Sequence, residues 1–154
     1  MPNRNYKEIF TTSFDTFKVF NKLTKTESGR LIASAPKTIW QILNHLLIWQ
    51  AYQLNQLNNF QVESDLIEPD TWIEDEECES QAELEEAIQT FENQISEFVD
   101  FISNLSDRNL ISLQNLKILQ DVSLHLSFHL GEIILMRRMT GNYPMPHEMK
   151  NFLN

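Results

Sequence analysis

Hydrophobic residues recur at helical spacing in four stretches of this chain. In the first, Tyr6, Ile9, Phe10, Phe14, Phe17 and Phe20 step by threes and fours and describe one helix face. The segment TESGRLIASAP breaks the pattern with Gly29 and Pro36. A second helix is predicted from Thr38, an N-cap by residue type, with Ile39, Trp40, Ile42, Leu43, Leu46 and Leu47 turned inward; it runs out among amides near residue 58. Residues 59–79 have no clean period. Ser80 with Glu83 reads as a capping box for a third helix carrying Leu84, Ala87, Ile88, Phe91, Ile95, Phe98, Val99 and Ile102. The polar turn SDRN separates it from a fourth helix over roughly 113–139, ended by Gly141 and Pro144. No strand run and no internal repeat emerges, so the predicted fold is all-α, a four-helix bundle.

Connection lengths bear on its topology. The short gap between the third and fourth helices favours antiparallel neighbours. The connection between the second and third, about twenty residues, reaches roughly twice the ~30 Å length of a 20-residue helix when extended at ~3.3 Å per residue. A long crossover that makes those two helices parallel is therefore permitted.

A length of 154 residues suits one domain, 1–154, and the three glycines and five prolines agree with few, long elements. The start, MPNRNYKEIF, lacks the apolar core of a signal peptide, and no apolar run approaches the ~18 residues of a membrane helix. The lone Cys78 excludes an internal disulfide and has no cation beside it in sequence to activate a thiolate. The expectation is a soluble cytoplasmic protein without a membrane partner. The net charge of −10 is uneven: no lysine or arginine lies between Lys37 and Arg108, and residues 63–86 hold twelve carboxylates. Such a field repels phosphate backbones and argues against nucleic acid as a partner. The acidic stretch itself reads as a solvated crossover.

Chemistry concentrates in the histidines. His125 and His129 are one turn apart and share a side with Val122, Leu126 and Ile133, while His45 sits mid-way along the second helix within IWQILNHLLIW. An i, i+4 pair from one helix and a single imidazole from another can converge on a divalent metal, leaving a coordination position open as catalytic sites do. The competing reading is three satisfied core histidines, and residue chemistry leaves both standing.

The segments PKTIWQILNHLLIWQAYQL (36–54) and HLSFHLGEIILMRRMTGNYP (125–144) resemble the DinB-like family of bacterial metal-binding four-helix bundles. In that family a tryptophan precedes a mid-helix histidine, and a later His-x-x-x-His-x-Gly motif leads to an arginine-bearing turn with Gly and Pro. The resemblance implies a parallel second and third helix, and a metal triad of His45, His125 and His129 holding nickel or zinc. It also implies thiol-dependent transferase chemistry, with a low-molecular-weight thiol and a small-molecule electrophile as partners, and frequent homodimers. Glu132 stands where the family commonly has glutamine, so it is a candidate catalytic base, a partner to His129 or a surface charge. Metal-assisted hydrolysis and a non-catalytic stress or interaction protein are the rival functions.

Around this constellation, Trp49 and Tyr52 are candidate walls of a substrate pocket. Gly131 would let another helix approach closely, against a helix-propensity cost of about 1 kcal/mol. Arg137 and Arg138 complement the dipole of the last turn, with anion binding as the alternative. His147 follows the last helix as an exposed tail residue.

Overall fold

The computed structural model describes residues 6–59, 64–105 and 111–154, and these form an all-helical structure. Two single turns come first, α1 (Tyr6–Ile9) and α2 (Lys25–Ser28). Three long helices follow: α3 (Ile39–Leu57), α4 (Gln81–Ser103) and α5 (Leu113–Met139), of 19, 23 and 27 residues. A short α6 (Met149–Leu153) ends the chain, and 3-10 turns occupy Glu68–Thr71 and Pro146–Glu148. The expected turn at 106–109 lies outside the described residues.

Caps set the helix starts. Thr38 and Gln41 form a reciprocal box at the head of α3, with Gln41 N–H donating to Thr38 Oγ1 at 3.2 Å and Thr38 N–H to Gln41 Oε1 at 3.1 Å. At α4 only half of the expected box forms. Ser80 Oγ accepts from Glu83 N–H, but the Glu83 carboxylate turns to the N–H of Glu79 instead of Ser80.

The first helix expected from the sequence is corrected. After one turn, the chain from Phe10 to Leu23 is a series of tight turns rather than helix. Asp15 Oδ1 captures the N–H of Phe17 at 2.8 Å, the local side-chain bond by which aspartate competes with helix, and Phe17 and Lys18 then adopt positive φ of 51° and 50°. Phe10, Phe14 and Phe20 are buried all the same, while Phe17 is exposed. Phe14 stacks on Phe98 with centroids 5.5 Å apart, and Phe20 meets Phe91 edge-on at 5.0 Å, so this segment runs antiparallel to α4. Arg137, buried near the end of α5, fastens it by donating to the carbonyls of Val19 at 2.6 Å and Asn21 at 3.1 Å.

From Thr71 to Glu76 the connection to α4 retraces α3. Thr71 meets His45, the carbonyls of Ile73 and Glu74 accept from Gln41 Nε2 at 3.2 and 3.3 Å, and that of Glu76 accepts from Thr38 Oγ1 at 2.7 Å. As the connection advances, its partners step back toward the start of α3. It therefore delivers α4 to the end where α3 begins. Gln94 Nε2 donates to Leu47 O at 3.1 Å, joining the middles of the two helices, which are thus parallel. Gly29 makes room for this path: a Cβ there would lie 2.5 Å from Glu77 Cβ.

The core lies between α3, α4 and α5. Ile42, Leu43 and Leu46 meet Leu84, Phe91 and Phe98 and, from α5, Leu119, Leu126 and Ile133, all buried. Each such side chain contributes about 1.5–3 kcal/mol by leaving water. No described helix is long and apolar enough to cross a membrane.

Candidate functional site: three histidines and their supports

α3 and α5 run antiparallel, and the histidines meet where their middles cross. His45, His125 and His129 each present a ring nitrogen, and these atoms lie within 4.8 Å of one another. Ring centroids are 4.9 Å apart for His45–His125 and His45–His129, and 4.7 Å for His125–His129. His45 and His129 are buried, and His125 is half-buried at the cavity edge.

Hydrogen bonding fixes which nitrogen faces inward. Thr71 has one hydroxyl proton, and it goes to the carbonyl of Glu68 at 2.5 Å. The 2.7 Å contact between Thr71 Oγ1 and His45 Nδ1 must then be donated by the imidazole, which leaves the His45 Nε2 lone pair free. His129 is held the same way: its Nδ1 lies 3.0 Å from Glu132 Oε2, an acceptor, so in the neutral ring Nε2 carries the lone pair. His45 Nε2 and His125 Nε2 are 3.0 Å apart.

Burial comes first, then the repulsion of the other two imidazoles, in pushing His45 down to about 3; a hydrogen bond to the Thr71 backbone opposes this. His125 is pushed to about 4 by burial and then by His129, against an opposing pull from Glu68. Both are therefore neutral at pH 7, the form in which imidazole binds a metal.

The three ring nitrogens are close enough together that they could hold a divalent ion. Two nitrogens each about 2.1 Å from one ion are separated by roughly 3.0–3.4 Å for right-angled to tetrahedral coordination, which brackets the His45–His125 contact. Two of the three rings are oriented from behind by Thr71 and Glu132, the arrangement that fixes tautomers in metal sites.

A cavity of about 730 Å³ opens over the three rings, lined also by Pro36, Lys37, Trp49, Gln53, Glu68, Trp72, Asp121, Phe128 and Glu132. Trp72 stacks on His45 at 3.8 Å with planes 8° apart, and Lys37 Nζ sits 5.3 Å over the Trp72 ring. Gln53 Oε1 is buried and without a hydrogen-bond partner among the described residues.

Of the other residues singled out from sequence, Trp49 walls this cavity. Tyr52 does not: it lines an adjoining hollow with Gln56 and Gln114, its hydroxyl accepting from Gln56 Nε2 at 3.2 Å. Glu132 is a partner of His129 rather than a free surface charge. Arg137 and Arg138 turn away to backbone carbonyls, the latter to Pro144 O at 2.8 Å. Burial holds the Arg137 guanidinium below its ordinary pKa. Gly131 faces open space, so no described helix uses it for close approach. Cys78 is buried with its Sγ 3.8 Å from Ser28 Oγ, and His147 is exposed, apart from the cluster.

Sequence reasoning missed Glu68, Thr71 and Trp72; the described carboxylates of the crossover are exposed as expected, but the segment is not solvated throughout. Its middle folds as a 3-10 turn, with Thr71 fully buried behind His45 and Cys78 buried further along. The signal was EPDTW: Pro69 in the first residues of a turn, followed by an apolar aromatic inside an acidic run.

No protein-family model, curated protein or solved structure matches this chain.

Proposed function

We propose that His45, His125 and His129 hold one divalent metal ion, nickel or zinc, and that the chain is a metal-dependent thiol transferase of the DinB-like kind, acting in the cytoplasm. On this reading the fold is a four-helix bundle with a long crossover, in which the aromatic N-terminal segment takes the place of the first helix. The observation that carries the proposal is the pairing of His45 and His129 with Thr71 and Glu132, which aims both Nε2 lone pairs at His125. Core histidines need no such common focus.

A bound divalent ion would supply Lewis acidity and hold a thiol in its nucleophilic, deprotonated form near neutral pH. The chain's residues do the rest. Glu132 holds the Nδ1 proton of His129, and Thr71 that of His45. Trp49, Trp72 and Phe128 exclude water and receive the apolar part of an electrophile. The unpartnered Gln53 Oε1 accepts a hydrogen bond from a ligand N–H or O–H and orients it. The two engaged nitrogens leave Glu132 committed to His129, which favours transfer over a hydrolysis that needs it as a free base.

Metal analysis of protein purified without a nickel column is expected to give one ion per chain. After cobalt exchange, a small thiol is expected to add a sulfur-to-metal charge-transfer band, and His129→Ala to remove it. A cobalt spectrum indifferent to thiols would defeat the transferase reading while leaving the metal site intact.

A further inference from the structure

Lys37 is the charged group that this fold leaves uncommitted at the histidine cavity. Its side chain is half-buried, yet it makes no hydrogen bond or ion pair among the described residues; its Nζ rests 5.3 Å over the Trp72 ring. The chain has a net charge of −10 and a crossover rich in carboxylates, so a carboxylate partner was the ordinary outcome. A lysine serving only solubility points its head into water or onto such a partner. This one is held at a cavity wall by an indole, and the same indole stacks on His45. The ammonium and the triad therefore share a wall.

Three carboxylates also line the cavity, and each is engaged within the chain. Glu132 Oε2 accepts from His129 Nδ1 at 3.0 Å, Asp121 Oδ2 is paired with Lys117 Nζ at 2.7 Å, and Glu68 Oε1 accepts from Trp72 Nε1 at 3.4 Å. None of them pairs with Lys37. Position separates them further. Asp121 and Gln53 also line the adjoining hollow, and Gln53 lies about 12 Å beyond His45 along α3. Lys37 stands before the first residue of that helix. The cavity is thus two-ended: an ammonium at one end, a carboxamide oxygen without a donor at the other, and the three rings between them.

Electrostatics decides what such a space takes. Three imidazoles bring no negative charge to a divalent ion, so the charge of the ion is not cancelled by its ligands and adds to that of Lys37. Trp49, Trp72 and Phe128 supply apolar walls, and a volume of about 730 Å³ suits a small organic molecule. The geometry points to an organic anion as that molecule: an apolar body against the aromatic rings, and a carboxylate on Lys37. Lys37 is then the residue that sets specificity for an anionic electrophile over its neutral analogue. That this molecule is the substrate rests on the metal reading of the histidines; the preference for an anion rests on Lys37.

Three matched probes test the preference without metal. 3-Phenylpropionate, 3-phenylpropanamide and 3-phenylpropylamine share one ring and chain and differ in charge. They are titrated into the metal-free full chain and followed by the fluorescence of Trp49 and Trp72, which line the cavity. The anion is expected to bind roughly tenfold tighter than the amide, with the amine weakest. Added salt is expected to reduce the difference. Lys37→Met keeps an apolar stem over Trp72 and removes the charge; it is expected to bring the anion to the affinity of the amide and to leave the amide unchanged. Lys37→Arg is expected to retain the preference. Equal affinity for anion and amide, no binding of the anion, or a preference that survives in Lys37→Met overturns the inference. An anion preference in a protein that takes up no metal supports the role of Lys37 and defeats the metal reading alone.

Discussion

Thr71→Val is the sharpest probe of the histidine site, because it changes one hydroxyl and almost no volume. The wild-type hydroxyl does two things: it donates to Glu68 O and accepts the His45 Nδ1 proton. Valine leaves that N–H buried and unpaired, which costs about 1–3 kcal/mol. It also removes the reason for the proton to stay on Nδ1, so Nε2 is no longer held as a lone pair. Loss of a supporting partner of this kind typically lowers metal affinity 10–100-fold, or about 1.4–2.7 kcal/mol. Zinc affinity by competition with a chromogenic chelator, at pH 7 and fixed salt, measures it directly. Thr71→Ser keeps the hydroxyl and is expected to stay within a few-fold of wild type. Equal affinity in Thr71→Val and wild type would refute the tautomer argument, even if both bind metal.

Replacement of Glu132 by glutamine is expected to weaken zinc tenfold or more by removing the charge behind His129, again read by chelator competition. The folded metal-free protein holds His45 and His125 neutral with pKa values of about 3 and 4 against an ordinary 6.5, so it binds fewer protons than the unfolded chain; this part of its stability is full above pH 6.5 and is lost as pH falls toward 3. Urea midpoints between pH 4 and 8 are expected to fall on acidification, and to fall less in His45→Gln. Gly29→Ala is expected to destabilise by about 1–3 kcal/mol in urea unfolding, since the new Cβ meets Glu77 in the returning connection, with zinc affinity changed little. Arg137→Met is expected to cost stability of similar size by freeing the Val19 and Asn21 carbonyls, without changing zinc affinity.

What the hydrophobic pattern could and could not give follows from what each segment packs against. α3, α4 and α5 begin and end within about a residue of expectation, because each combines a 3.6-residue apolar period with a threonine or serine cap. The N-terminal segment has the same apolar period and is not a helix. Its aromatics are long enough to reach α4 from a turn-rich backbone, so spacing alone did not distinguish the two. Asp15 was the informative residue, a helix competitor placed just before the bend at Phe17.

The histidines were legible for a related reason. Polar rings at i, i+4 on a core face are costly unless partnered, and so they stand out against leucine. Their supports were not, because Thr71 and Trp72 reach His45 from a segment whose sequence is dominated by solvated carboxylates. The acidity of residues 63–86 hid the fact that Thr71 and Cys78 are buried. The same chain geometry explains both features. A connection that must retrace α3 to start a parallel α4 passes over His45 on the way, so the crossover that sets the topology also supplies the hydroxyl and the indole that orient His45. Fold and site therefore share one segment, and shortening the connection would be expected to remove both together.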